Sequence, residues 1–588
     1  MNIKRSISAL LAAVLLTGLP GCAVEEPAGE ETIPATSAQP QINTEISTHL
    51  RDKGLLYTNR DATEVVTMYL TVSRGNAAEG TDHTWEEINT YSAYDYDRMG
   101  VDRYKVAGLL QVGDENGPLA GEVGYNQLSS NCTVNIRGQS SSKSPQKNYK
   151  IKLKDNKGTW NDQTTIALNK HQTEGLRFRN KLAFDMMADI DQIMSLQTTF
   201  VHLYVKDTTS EAGEDALFED YGIYTQVEQL NKSALARHGL DKRGHLYKIN
   251  YCEFYRYEDV IRLKDDPEYD VTKFEEILEI KGDDDHSKLI ALLEKINDYS
   301  IPIEEILNDH FDMENITYWM AFNILVGNID SQSRNFYLYS PQNVDRWYIY
   351  PWDLDACLRR TEYRILGRTD YESWESGVSN YWGNILFQRC LKSDTFLAAL
   401  DTAVEDLHGR FTEEYVMSYV QTYADVIKPY LYTGRDVLYA PLTPAEFDTV
   451  VASVPAEIED NYQRYLDSLE NPMPFYIGVP EKTGEGYSIH WDASYDFDRE
   501  DITYTFELAA DYSFSDPIYV ADGLELPITT FPALEAGQYF MRVTAENESG
   551  QTQHAFDYYR IAGGKVYGTK CFYVNGQGDI VEDLYVED

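Results

Sequence analysis

The chain has 588 residues, too many for one ordinary domain. Its 43% hydrophobic, 13% aromatic and 25% charged residues are globular composition, which excludes wholesale disorder. Lys+Arg number 51 and Asp+Glu 96, a net charge of −45; so acidic a surface repels phosphate backbones, excludes nucleic acid as a partner and suits a soluble exported protein. The cysteines, Cys22, Cys132, Cys252, Cys357, Cys390 and Cys571, form no C-x-x-C pair and are too sparse for a disulfide scaffold or a structural zinc site.

Lys4 and Arg5 precede an apolar run at 7–19 that is short for a membrane span, so residues 1–21 read as a signal peptide. The run ends in Leu19-Pro20-Gly21-Cys22, which resembles a bacterial lipobox and would make Cys22 the lipidated first residue of the mature chain. The alternative is an ordinary secretory signal with a chance cysteine. Residues 22–45, rich in Glu, Pro, Ala, Thr and Ser, read as a disordered tether. No later stretch has 18 consecutive apolar residues. The expectation is a protein lipid-anchored to the outer side of a bacterial cell membrane.

Between 46 and 465 the pattern mixes strands and helices. Stretches 65–72, 104–112, 133–137 and 149–153 alternate apolar and polar residues, as strands do. A helical period follows at 182–190, then β-branched and aromatic strands at 200–205 and 221–227. Helices are expected at 273–280, 287–296 and 313–326, short aromatic strands at 336–339 and 347–350, and more helices through about 390–470. Asp283-Asp284-Asp285, just before the helix at 287, reads as helix capping rather than calcium binding. Asn471-Pro472-Met473-Pro474 breaks the pattern as a linker. Short strands at 487–491, 502–509, 518–520, 538–546 and 556–561 then argue a small all-β sandwich over 472–565. With Trp491 and the run Gly537-Gln538-Tyr539-Phe540-Met541-Arg542-Val543-Thr544-Ala545, this stretch resembles a fibronectin type III module, read as a spacer or binding module. Residues 566–588 form an acidic tail without an assignment.

The chemistry concentrates in two loops. Asp330 and Asn335 stand as Asp-x-x-x-x-Asn after a helix and before a strand. That is the spacing of a protein-kinase catalytic loop, where the Asp orients the hydroxyl nucleophile and the Asn holds a metal. Tyr350-Pro351-Trp352-Asp353-Leu354-Asp355 follows, with Asp353 just past a strand, where magnesium would find the oxygen ligands it requires. Upstream, Arg137-Gly138-Gln139-Ser140-Ser141-Ser142 joins two strands through a hydroxyl-rich loop able to cover phosphates. The second strand sends Lys150 and Lys152 to one face and Ile151 and Leu153 to the other. GxGxxG, GxxxxGK[ST], HExxH and GxSxG are all absent, so zincin and α/β-hydrolase readings have no motif support.

Four ordered blocks resemble the CotH kinase family. They are Arg137-Gly138-Gln139-Ser140-Ser141 with Lys147-Asn148-Tyr149-Lys150-Ile151-Lys152; Leu176-Arg177-Phe178-Arg179-Asn180-Lys181-Leu182-Ala183; Tyr221-Gly222-Ile223-Tyr224-Thr225-Gln226-Val227-Glu228-Gln229, closed by Gly244-His245-Leu246-Tyr247-Lys248; and Gly327-Asn328-Ile329-Asp330 through Asp355. The resemblance implies an α+β, atypical two-lobed protein-kinase-like domain over 46–465 ahead of the all-β module. It also implies transfer of phosphate from ATP, with Mg²⁺ or Mn²⁺, to Ser or Thr of a protein substrate. On it, Asp330 is the catalytic aspartate, Asp353 and Asn335 hold metal, and Lys152 contacts phosphate, with Lys150 as the alternative. Arg137, Ser140, Ser141 and Arg179 support the phosphate site, and Glu228 and Gln229 lie at a hinge beside the adenine. Asp355 has no settled role.

Two other readings compete. A surface scaffold could keep the fold without turnover and reach a cell-wall partner through the module; scarce ATP outside a membrane favours it. A glycoside hydrolase could use the paired carboxylates, although the serine loop and lysines suit phosphate better than sugar. The acidic surface suggests a basic protein substrate.

Overall fold

The computed structural model describes residues 49–58, 61–368, 373–562 and 564–582; Cys22, the signal peptide and the tether lie outside the described residues. In β1 (Val65–Ser73) the period of two buries Met68, Leu70 and Val72 on one face. A similar alternation marks β4 (Cys132–Arg137), β5 (Asn148–Leu153) and β7 (Thr198–Asp207), whereas β6 (Thr165–Asn169) after its first residue and the second half of β8 (Phe218–Glu228) are buried without a break; β2 (Val106–Asp114) and the two-residue β3 (Gly117–Pro118) complete the set. These strands run in the order β1-β7-β8-β6-β5-β4-β2-β3. Because β1 also pairs with β2, seven of them close into a barrel, which leaves no edge among those seven. Only β1 and β7 run parallel, with Val65 opposite Phe200. Ile136, Ile151, Ile166, Leu168, Val201 and Leu203 fill the barrel core. Trp85 of α1 (Trp85–Thr90) and Tyr96 of α2 (Ala93–Met99) join it; both helices start on capping boxes, Thr84 with Glu87 and Ser92 with Asp95.

The second lobe begins with α3 (Arg179–Met187), buried along its whole length. It continues through α4 (Lys232–Arg237) and β9 (His245–Ile249). A helix through Ile280 was expected from the sequence. The structure instead ends α5 (Val271–Ile277) and turns Leu278 to extended backbone, so that β10 (Leu278–Ile280) pairs with β9. Sheet pairing here overrides the helical period. After α6 (Ser287–Asn297), α7 (Ile303–His310) and α8 (Met313–Leu325) come β11 (Phe336–Ser340) and β12 (Tyr348–Pro351), and the small sheet has order β10-β9-β11-β12. The cap of α6 is supplied beside the expected place. His286 is the N-cap residue, and Asp285 accepts from the Ser287 N–H at 2.9 Å. Helix α8 is apolar nearly all round and is buried accordingly, with Trp319, Met320 and Phe322 at the lobe's centre. It is enclosed by α11 (Asp394–Arg410) and α13 (Pro444–Glu470), after α9 (Arg360–Ile365) and α10 (Ile385–Leu391) and with α12 (Glu413–Leu431) between them in sequence.

The C-terminal module packs two sheets around Trp491, Phe506, Phe531 and Val543. One sheet is β13 (Glu481–Lys482), β14 (Gly486–His490) and β17 (Ile528–Pro532). The other has order β16 (Tyr519–Leu524), β15 (Ile502–Ala509), β18 (Gly537–Asn547), β22 (Thr569–Val574) and β23 (Ile580–Glu582), with β19 (Thr552–His554) also on β18. A separate hairpin, β20 (Tyr558–Ile561) and β21 (Gly564–Tyr567), is inserted before β22. The stretch set aside as an acidic tail therefore carries two strands of the sandwich: Phe540 pairs with Cys571, and the module runs to residue 582. A four-residue spacing of turns hid this, since β22 follows the hairpin with a single intervening glycine, Gly568.

The module is no spacer on a linker. Met473 is part of the second lobe's core. Trp382 stacks on Tyr495 at 5.2 Å, and Trp374 meets Phe556 edge-on at 5.3 Å and Tyr567 at 5.9 Å. Asn547 donates to the Glu470 carbonyl at 3.0 Å. The whole of the described chain forms one unit.

Candidate active site

A polar cavity of about 900 Å³ opens where barrel, second lobe and module meet. Arg137, Gly138, Ser140, Ser141, Asp330 and Asp353 all line it, as do His171, Arg334, Asp355 and Arg359. The serine loop is a braced turn. Gly138 has a φ of +84°, and a Cβ there would lie 2.1 Å from Ser141 Oγ, so only glycine fits. Asn148 donates to Ser141 Oγ at 3.0 Å and accepts the Lys170 N–H at 2.6 Å, while Lys147 Nζ donates to the Ser142 carbonyl at 2.6 Å. Lys147 is thus a buried strut, not a solvated lysine.

Asp330 sits in a short 3-10 turn, Ile329–Ser331, directly after α8. Gly327 permits the sharp exit with a φ of +60° and lies against Asn461, which donates to the Leu325 carbonyl at 3.0 Å. Asn335 Nδ2 donates to Asp330 Oδ2 at 2.8 Å and Arg334 Nε approaches Oδ1 at 3.4 Å. Burial pushes the Asp330 carboxyl up; Arg334 opposes this, Asp355 adds to it, and the Asn335 hydrogen bond and Lys565 oppose it to a smaller extent.

Asp353 follows β12 in a left-handed conformation, φ +52°, and the same strain marks Asn335 and His171. Three non-glycine residues in that region, all at one site, are the signature of backbone held for function. Burial and the neighbouring Asp355 raise the Asp353 carboxyl above the ordinary carboxylate range, against the attraction of Arg137, His171 and Lys248. Asp355 goes the other way: despite burial it is held low by His171, whose Nδ1 donates to Asp355 Oδ2 at 3.2 Å. His171 is itself buried and its Nε2 has no hydrogen-bond partner. Arg137 and Lys248 flank the Trp352 ring at 5.9 and 6.0 Å.

The turn carrying both aspartates is fixed from below. Arg179, fully buried, donates from Nε to the Leu358 carbonyl at 2.8 Å and from Nη1 to Glu362 at 2.6 Å and Glu174 at 3.3 Å. Asn180 Oδ1 accepts the Leu354 N–H at 3.2 Å. Arg179 therefore positions this turn and does not reach the cavity.

Other expected site residues stand elsewhere. Lys150 and Lys152 are both exposed on the outer face of β5 and neither lines the cavity. Lys150, opposite Asn135, is the one whose charge interacts with Arg137. The lysine that interacts with Asp353 is Lys248 of β9, to which the sequence had given no role. Glu228 is buried outside the cavity: its carboxylate takes Arg237, His238 at 3.0 Å and the Gln197 N–H at 3.0 Å, so it ties β8 to α4. Gln229 beside it does not reach the cavity either. Alternation fixes the face of a residue, not its distance from a cleft built by another lobe.

Among the described residues no three His, Cys, Asp or Glu side chains converge as a metal cage. Magnesium seldom takes such a cage; it uses one or two carboxylates with phosphate and water. Asp353 and Asp355, mutually repelling and open to the cavity, suit that demand; Asn335 is not among the lining residues, and its amide is held by Asp330.

Asp330, the aspartate pair and the serine loop thus share one polar cavity. The chain belongs to the CotH kinase family: the family description "CotH kinase protein" matches residues 134–466, more than half of the chain. It is 22% identical over 326 residues to inner spore coat protein H of Bacillus subtilis (strain 168), covering 54% of this chain and 82% of that protein. Among solved structures, the crystal structure of a Helicobacter pylori proinflammatory kinase, CtkA, aligns over 54% of this chain and 94% of its own, at 11% identity and a TM-score of 0.23.

Proposed function

We propose that the chain is a protein kinase that transfers the γ-phosphoryl group of ATP to Ser or Thr of a protein substrate with Mg²⁺ or Mn²⁺. The observation that carries this reading is the meeting of Asp330, Asp353 and the braced serine loop on one cavity, from three separate parts of the chain. Asp330 would orient the acceptor hydroxyl and take its proton; burial makes it a stronger base than a surface aspartate. Arg137, Ser140 and Ser141 would bind phosphate oxygens. Asp353, with Asp355, would hold the divalent ion, which supplies charge neutralisation at the phosphates. His171 and Arg179 keep that carboxylate turn in place. Lipidation at Cys22, with an outward-facing body anchored to the membrane, belongs to the same proposal, and substitution Cys22→Ser would release the chain from the membrane fraction.

The test is intact mass after incubation with ATP and Mg²⁺ or Mn²⁺, beside Asp353→Ala. Added phosphates in the parent and none in the variant support the kinase. No added phosphate on the chain or on a serine-rich acceptor, with either metal, points instead to a surface protein that keeps the fold for binding.

A further inference from the structure

The cavity has a third wall that belongs to the C-terminal module. Tyr476, Phe556, Tyr558, Arg560 and Lys565 line it together with the aspartates. The last three lie on the hairpin inserted before β22, which forms a two-stranded sheet of its own and packs Tyr559 on Phe540 of β18 at 4.8 Å. The hairpin is held to the second lobe, since Tyr567 packs on Trp374 at 5.9 Å and its hydroxyl approaches Glu375 at 3.5 Å. Lys565 Nζ lies 4.2 Å from the Tyr558 ring centre and 5.6 Å from that of Tyr567, so aromatic faces hold its ammonium in place.

The cations of the cavity fall on two sides. Arg137 and His171 act on Asp353, and Lys248 of β9 adds to them from outside the cavity lining. Arg334 and Lys565 act on Asp330. The first group is where phosphates and metal would lie; the second faces the carboxylate that would meet the incoming hydroxyl. Two further acids line this side, and each has a tyrosine partner of its own: Glu253 accepts from Tyr251 at 3.2 Å and Glu375 is approached by Tyr567 at 3.5 Å.

We propose that the module is the acceptor-side wall of the active site, where Arg560 and Lys565 bind an acidic group flanking the Ser or Thr that receives phosphate. This rests on the kinase reading and narrows it to an acidic acceptor, against the basic substrate that net charge alone suggests. The local wall, not the distant surface, contacts the residues beside the acceptor, and contact charges decide specificity once the substrate is docked.

The full chain, with Mg²⁺ and ATP, is offered two synthetic peptides, a serine flanked by glutamates and a serine flanked by lysines, and kcat/KM is compared. The parent should favour the glutamate peptide by about tenfold or more, the worth of one good charge contact. Arg560→Glu with Lys565→Glu should invert the preference, and Arg560→Gln with Lys565→Gln should flatten it. Lys482→Glu, outside the cavity and paired with Asp579, should leave the ratio alone. Melting temperature confirms that each variant is folded. Transfer with an unchanged ratio in both double variants, or a parent that prefers lysine, overturns this inference and leaves the kinase reading standing. No transfer by the parent to any acceptor overturns both.

Discussion

Asp353 carries a conflict that its role explains. Its backbone is left-handed, and its carboxylate is recessed beside another one. Neither feature stabilises the protein by itself; both keep an oxygen donor poised for a cation. Asp353→Asn should therefore melt higher than the parent in EDTA, because asparagine tolerates that backbone and ends the repulsion with Asp355. The same variant should lose the melting shift on adding Mg²⁺ with ATP, and transfer should fall by at least about 100-fold. Thermal melts with and without Mg²⁺·ATP check both; a variant that melts lower in EDTA would refute the argument. The aspartates could be read in the sequence because each follows an apolar run that ends on a turn, as Asp330 does after α8. His171 and Lys248 could not, since what makes them part of the site is contact across more than a hundred residues of chain. Lys152 shows the converse: the face was legible, but the strand's place over the cleft was not.

One scale up, short elements are joined by buried polar links. Arg179 opens α3 with no side-chain cap and spends its donors on Glu174, Glu362 and the Leu358 carbonyl. Arg179→Leu would strand the buried Glu174 and leave Glu362 with Arg359 and the Gly175 N–H alone, and breaking such a network costs about 3–5 kcal/mol. Urea unfolding should show a midpoint lowered to match, with Glu362→Gln added to the variant restoring part of the loss. A second link lies under β9. His286 accepts or donates at both ring nitrogens, 2.9 Å from the Tyr247 hydroxyl and 3.1 Å from that of Tyr269, and stacks on Phe274 at 4.2 Å. Burial lowers its pKa below the ordinary 6.5, Asp284 and Asp285 opposing and His245 and Lys264 assisting. The unfolded chain then binds a proton that the folded one refuses. Stability from the neutral ring is present above pH 6.5 and is lost as pH falls through the lower folded value. His286→Phe should flatten the fall in melting temperature between about pH 7 and pH 5, measured against the parent in matched buffers; an equal fall in both would reject this role. Element types were mostly legible, since several barrel strands are marked by alternation and α8 by unbroken apolarity. The closure of the barrel was not, because the β1 to β2 and β1 to β7 pairings depend on twist and on partners 34 to 135 residues away.

For the whole molecule the question is how many parts unfold separately. A proline-rich break at Asn471-Pro472-Met473-Pro474 reads as a linker. In the structure that segment is itself core, with Met473 and Phe475 buried. Met473 N–H donates to the Tyr495 carbonyl at 2.7 Å and Ser494 donates back to the Met473 carbonyl at 2.5 Å. Trp382 stacks on Tyr495, and the Lys392 ammonium lies against both rings, 5.0 Å from the Trp382 centre and 5.5 Å from that of Tyr495. Prolines here stiffen a seam, and the aromatic side chains on both sides would meet water if the module left. Separation would then expose the seam and also remove one wall of the active-site cavity. Scanning calorimetry should accordingly show one cooperative transition in which lobe and module melt together, not two. Trp382→Ala removes a large buried aromatic from the seam, a loss of about 3–5 kcal/mol, and should split or broaden that transition with the module's share released first. Two resolved transitions in the parent would mean that the seam is weaker than its packing indicates, and the module would then be free to leave the cleft it lines.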